Sequence, residues 1–323
     1  MSSPANMSSP VQPRDVVEVG VGAIGASPAG AIPIGVAVIG FGSVARYIHE
    51  QLALRRDFTA TTRPTDDDPA SAWDAAINED STRLLYLTEP CEVRRIADAI
   101  RARKHLVIQP GMIPSATELR HLAELAAAHD TIAVVDEPRR WDEDFRNARS
   151  LVAAGVLGTL QRIRLAIHER SLPGEVFPQG VLRDLGGHWL DQLLALVNDE
   201  PAAVHLRKFH SPTDAFEQGF LTRIDFAGGA SAVVELQTQS LLSLRTGWML
   251  EGTAGAYRNG RLYTLTADGE IIDEPVAHSP DCADPFFDAL SAAIQGDRAA
   301  RSLLADLHHA ARVDTLIANL LDG

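Results

Sequence analysis

The sequence predicts an α/β chain: an N-terminal Rossmann, doubly wound parallel sheet, then an α+β domain with a largely antiparallel open sheet. Three observations carry that expectation. An apolar run, Val36 to Ile39, enters a glycine-rich turn, and a helix pattern follows at once. Strand and helix patterns then alternate to about residue 156. From Leu160 onward the runs alternate apolar and polar residues, as in strands with one covered face.

Taken in order, residues 1–33 are rich in Ser, Pro, Gly and Ala and read as a mobile extension. Within them Gly20 to Gly25 fits G-x-G-x-x-G, but Pro28 and Gly30 follow where a helix would have to run. The second match, Gly40-Phe41-Gly42-Ser43-Val44-Ala45, is followed by Val44, Ile48, Leu52 and Leu54 at helical spacing. Gly40 permits the tight turn, Gly42 leaves room for a pyrophosphate, and Ala45 lets helix and strand pack closely. The helix N-terminus offers N–H groups to phosphates. Strands are expected at Phe58 to Thr62, Arg83 to Thr88, His105 to Ile108 and Thr131 to Val135. Helices are expected at Ala72 to Ile77, Val93 to Ala102, around Leu119 to Ala126, and at Trp141 to Ala153. The second domain, 157–323, should hold strands at Leu160 to Ile167, Val204 to Phe209, Phe220 to Phe226, Ala230 to Gln237 and Ser243 to Glu251. Gly228-Gly229 marks a hairpin, and Leu182 to Leu196 and Pro285 to Leu321 supply helices. The first domain is then 34–156.

Composition narrows the function classes. A net charge of −14 argues against a nucleic-acid partner. No apolar run reaches membrane-spanning length, and no secretory signal is visible. Two cysteines far apart point to the reducing cytoplasm rather than to a disulfide. The expected partner is a small-molecule substrate. Only Lys104 and Lys208 are lysines; the other 27 of the 29 basic residues are arginines.

The second informative stretch is Gly180 to Asp191, Gly-Val-Leu-Arg-Asp-Leu-Gly-Gly-His-Trp-Leu-Asp. On a helix Asp184, His188 and Asp191 share one face. A carboxylate beside an imidazole raises its pKa and orients it, as an acid/base group requires. A hydrogen-bonded, partly buried histidine fits the spacing equally well, and a metal site fits poorly. The end of the second strand, Thr61-Thr62-Arg63, carries no carboxylate for a ribose 2′-hydroxyl. Thr62 and Arg63 suit a 2′-phosphate instead, so NADP(H) is expected to be preferred, with NAD(H) as the alternative.

These stretches together resemble the Gfo/Idh/MocA family of NAD(P)-dependent oxidoreductases over nearly the whole chain from residue 34. The carrying pieces are the glycine turn, Tyr86-Leu87-Thr88-Glu89-Pro90, Lys104 to Ile108, Arg139-Arg140-Trp141-Asp142, Gly155-Val156-Leu157-Gly158 and the Gly180 to Asp191 helix. The resemblance implies a nicotinamide cofactor touching Thr88, Glu89, Pro90 and Gln109. It makes His188 the proton handler and Asp184 its positioning partner. Arg139, Trp141 and Asp191 are the expected substrate residues, although an exposed arginine pair and a packing tryptophan fit the same positions. That substrate would be a sugar, cyclitol or related carbonyl or imine compound. A dimer or tetramer through the C-terminal sheet is implied as well. One departure stands out. Where the family usually carries Glu-Lys-Pro, with the lysine as partner acid/base, this chain reads Gln109-Pro110-Gly111. Loss of one such group is worth roughly 10²–10⁴-fold. Three readings remain: hydride transfer with His188 alone, a different use of the cofactor, or dinucleotide binding without turnover. Asp66-Asp67-Asp68 reads as a solvated loop, and adjacent His308 and His309 point too far apart to share a metal.

Overall fold

A computed structural model describes residues 32–61, 69–112, 115–171, 177–210, 217–276 and 285–322. The extension with its first glycine motif, Thr62 and Arg63, the Asp66 run and Cys282 lie outside the described residues.

The chain alternates as the sequence implies: β1 (Ile34–Ile39), α1 (Gly42–Ala53), β2 (Phe58–Ala60), α2 (Pro69–Asn78), β3 (Thr82–Leu87), α3 (Val93–Arg101), β4 (His105–Ile108), α4 (Ala116–Ala128) and β5 (Ala133–Val135). These five strands are parallel in the order β5-β4-β3-β1-β2. Every residue of β1 is buried, because helices cover both faces of the sheet. On α1 the buried face is Ala45, Ile48 and Leu52; Val44 and Leu54 are exposed, since Val44 sits in the first turn above the strand ends.

The second half holds α5 (Glu143–Ala153), β6 (Leu160–Arg170), α6 (Gly187–Leu196), β7 (Pro201–His210), β8 (Glu217–Phe226), β9 (Ser231–Gln237), β10 (Gln239–Arg245), β11 (Met249–Gly252), β12 (Gly255–Arg258), β13 (Arg261–Leu265) and β14 (Ile271–Pro275). Its strands run in the order β14-β13-β12-β11-β6-β9-β8-β7, with β10 also on β6. All pairs are antiparallel except β6 with β9. Phe226 to Gly229 forms the expected hairpin, where the Gly229 N–H bonds the Phe226 carbonyl at 3.0 Å. One side of this sheet packs on α5, α6 and the last helix; β10 leaves Leu241 and Leu242 exposed.

The chain does not stay in the second half to its end. Helices α7 (Pro285–Ile294) and α8 (Arg298–Leu303) pack on the first sheet, with Phe286, Phe287 and Leu290 against Val36, Phe58 and Tyr86. A two-residue strand β15 (Ala305–Asp306) then adds antiparallel to β5. Helix α9 (Leu307–Asp322) bridges the cores, Leu307 and Ala311 in the first and Leu316 and Leu320 in the second. Conversely α5 buries Phe145, Ala148 and Leu151 in the second core. Helical periodicity fixes which face is apolar but not which sheet receives it, so a single cut at 156/157 misses both exchanges. No helix among the described residues is long and apolar enough to cross a membrane.

Candidate functional site

A cleft of about 630 Å³ lies where the carboxyl ends of β4 and β5 face the helix carrying His188. That is the edge at which doubly wound sheets hold ligands. Its walls include Pro90, Gln109, Pro110, Glu137, Arg183, Asp184 and His188.

The His188 helix owes its approach to its glycines. Gly180 has φ +89°, and a Cβ there would meet the buried Glu217 carboxylate, which accepts from the Leu182 N–H at 3.2 Å. A Cβ on Gly186 would strike the Phe220 ring at 2.8 Å. Residues Leu182–Gly186 are wound as a π turn ahead of α6, a local widening often found at functional sites. The wider turn breaks the expected pairing of Asp184 with His188. Asp184 instead accepts from the Gln179 N–H at 3.1 Å and stays in the cleft wall.

The carboxylate beside His188 is Glu137, just past β5. Its Oε2 lies 2.6 Å from His188 Nδ1. Burial works to lower the His188 pKa, but the hydrogen bond and charge of Glu137 outweigh it and raise it above the ordinary value. Burial in turn raises Glu137, against the pull of His188. With Nδ1 engaged, Nε2 is the ring nitrogen left for a cleft ligand. Glu137 is 51 positions from His188 and was absent from the sequence reading. The available signal was its place immediately after a strand in the Rossmann half.

Asp191 also lines the cleft, but its carboxylate is held within the seam. It is 1% exposed, and Arg140 grips both oxygens, Nε to Oδ2 at 2.7 Å and Nη2 to Oδ1 at 2.9 Å. His309 Nε2 adds a contact to Oδ1 at 3.1 Å. Three contacts on two oxygens make this carboxylate chiefly a structural clasp. Arg139 lies over the Trp189 ring at 4.5 Å and 3.6 Å from Asp142, and Trp141 packs edge-on to Phe286. The Gln192 amide donates to the Arg139 carbonyl and accepts from the Trp248 indole. The Arg139 to Asp142 segment therefore builds the seam between the halves rather than the cleft wall.

At the end of β4, Gln109-Pro110-Gly111-Met112 closes a tight turn. The Met112 N–H bonds the Gln109 carbonyl at 3.3 Å, and Gly111 has φ +75°, the pattern that Pro-Gly favours. The Gln109 amide donates to Tyr86 at 3.1 Å and to Asp136 at 3.3 Å, so it fixes the strand ends. No acid/base side chain stands in this turn. Lys104 sits at the opposite end of β4, buried, donating to the Glu79 and Thr82 carbonyls at 2.8 and 2.7 Å. Lys208 is on β7, far along the other sheet.

The glycine turn keeps the shape of a dinucleotide cradle. Gly40 has φ +136°, and its Cβ would meet the Thr88 hydroxyl at 2.1 Å; Gly42 has φ +80° with open space before it. The N-terminus of α1 has no side-chain cap and no acid in its first turn, so its N–H groups suit a phosphate. Phe41 and Val44 are exposed beside it, and Glu89 and Pro90 link it to the cleft.

Comparison with known proteins places this arrangement. The Gfo/Idh/MocA C-terminal domain matches residues 145–258, the segment containing the π turn, α6 and most of the second sheet. Over that segment the chain is similar to the Gfo/Idh/MocA family. A scyllo-inositol 2-dehydrogenase (NADP(+)) of Bacillus subtilis is 26% identical over 56% of this chain and 52% of its own length. An uncharacterized oxidoreductase of Schizosaccharomyces pombe is 30% identical over 38% of this chain and 36% of its own. The chain spans between 30% and 52% of the first three curated relatives it matches. Among solved structures, an inositol dehydrogenase homologue of Azotobacter vinelandii complexed with NADH and myo-inositol aligns with TM-score 0.70 at 17% identity, covering 91% of this chain and 97% of that one. At that identity the likeness is one of fold. The fold shared with that structure joins a Rossmann half to an open-sheet half.

Proposed function

We propose that this chain is an NAD(P)-dependent oxidoreductase that moves hydride to or from a sugar, cyclitol or related small carbonyl or imine compound, with NADP(H) preferred. The observation that carries it is the Glu137–His188 pair, held in a cleft between the glycine cradle and the second domain. A bound nicotinamide supplies or accepts the hydride. The rest is done by this chain. Gly40, Phe41, Gly42, Ser43, Val44 and Ala45 hold the pyrophosphate end. His188 gives a proton from Nε2 to the substrate oxygen or nitrogen in reduction and takes it back in oxidation. Glu137 stabilises the protonated ring and fixes its orientation. Asp184, and Arg183 on the adjacent exposed position, supply polar contacts to the substrate from the cleft wall. Assembly into a homo-oligomer through the open sheet is part of the same proposal, supported by exposed Leu241 and Leu242, as is a cytoplasmic location.

A second reading has its own observation. The Gln109-Pro110 turn offers no proton donor where the family lysine would stand, which favours a dinucleotide-binding homologue without turnover. Mixing the protein with NADPH or NADH and a panel of sugars, cyclitols and their keto forms, while following nicotinamide absorbance, separates them. Turnover with any of these supports the enzyme. Tight cofactor binding with no turnover across the panel supports the rival.

A further inference from the structure

Behind the seam, α5, the end of α6, α8 and α9 enclose a second recess of about 220 Å³ that shares no lining residue with the cleft. Its wall carries Arg140, Arg149, Arg301, Arg312 and His309 against a single carboxylate, Asp306. The chain has net charge −14, so this is a local concentration and not part of a basic face.

Most of these groups are accounted for. Arg140 is neutralised by Asp191. Arg312 lies 3.2 Å from the Glu200 carboxylate and donates to the Asp199 carbonyl at 2.8 Å. Asp306 accepts from the His309 backbone N–H at 2.8 Å. Two are not. Arg301 is exposed at the rim and has no acidic partner among the described residues. Arg149 is half-buried, reaches only the Leu303 carbonyl at 3.4 Å, and lies over the Phe145 ring at 5.5 Å. Burial, and then the neighbouring charge of Arg140, lower its pKa to about 10. A guanidinium held beside a second cation, with no carboxylate hydrogen-bonded to it and only the charge of Asp191 opposing its burial, is costly for packing alone, since a methionine would cover Phe145 as well. Several arginines turned on one recess match the geometry of a tetrahedral oxyanion.

We propose that this recess binds a phosphate dianion, free or carried on a small phosphate monoester. Arg149 is its inner ligand and Arg301 closes the rim. The proposal does not rest on the oxidoreductase reading: recess and cleft share no lining residue and meet through Asp191, which Arg140 and His309 hold.

The test is thermal unfolding of the full chain, without nicotinamide, in inorganic phosphate, in glycerol 3-phosphate and in chloride at matched ionic strength. The expected result is a saturating rise in melting temperature with phosphate or its ester beyond that with chloride. The larger rise identifies which source the site prefers. Arg149→Met should weaken phosphate binding at least about tenfold, the loss of one charge-assisted hydrogen bond. It should also leave the phosphate-free protein as stable as wild type or more so, because an uncompensated charge is removed. Arg301→Gln, at an exposed position, should weaken binding with no change in the phosphate-free melting temperature. Equal shifts in phosphate and chloride, or a phosphate shift that survives Arg149→Met, overturn the proposal. The surviving shift would belong to another anion site such as the glycine turn.

Discussion

Helix α6 carries two carboxylate–imidazole pairs of the same composition and opposite character. On one side His188 meets Glu137 at the cleft, 2.6 Å apart. On the other Asp191 meets His309 in the seam, 3.1 Å apart. The difference is an arginine. Burial works to raise Asp191, but Arg140 and the hydrogen bonds from His309 and Arg140 hold its pKa well below the usual carboxylate range. The negative charge is spent within the seam. Glu137 has no arginine in its hydrogen-bonding shell among the described contacts, so its charge falls on His188 and strengthens that ring's hold on a proton. The same pair of groups is a rivet where a guanidinium closes it and, on the proposed function, a proton handler where it opens to a cleft.

Breaking the rivet should have the largest effect. Arg140→Met leaves Asp191 buried without its countercharge, which typically costs about 3–5 kcal/mol; chemical denaturation should show the loss directly. The sign of its pH dependence follows from the lowered Asp191 pKa. The wild-type advantage is full above the unfolded carboxylate pKa and shrinks as pH falls, because the variant's Asp191 takes up a proton first. Next in size is the open pair. His188→Asn should lower turnover by at least ~10²-fold with cofactor affinity nearly unchanged. A variant that unfolds more easily yet turns over normally per folded molecule would make His188 a second rivet. Smallest is His309→Asn, which removes one of three contacts to Asp191. It should cost about 1 kcal/mol and leave turnover alone, as read from paired denaturation and rate measurements.

How much of this was legible in the sequence follows from the physics of each part. The glycine turn was legible because strand, turn and helix each leave a local pattern, and β4 fell where its apolar run begins and ends, at His105–Ile108. The antiparallel half was legible in its long strands but not in β12, β13 and β14, which are four or five residues each and too short to alternate convincingly. The single run from Ser243 to Glu251 proved to be two strands, parted at Thr246-Gly247-Trp248. In the site, His188 and Asp184 were found by motif, but counting i to i+4 assumed a regular helix and so chose Asp184 over Glu137. A π turn and a contact across 51 positions leave no periodic trace. Asp191, Arg139 and Trp141 were assigned to the substrate because motif residues near a histidine look alike in sequence. Only burial and the Arg140 clasp distinguish a rivet from a ligand.

On the proposed function, Glu137 sets the proton affinity of His188 for the reaction. The most direct test is the pH profile of the reductive single-turnover rate in wild type and in Glu137→Gln. His188 is raised in the folded protein, so the protonated ring persists above its ordinary pKa, and the wild-type rate should fall only as pH rises through that raised value. In Glu137→Gln the rate should begin to fall at lower pH while the low-pH plateau stays closer to wild type. Coincident profiles for the two proteins would contradict the account and leave Glu137 as a packing contact.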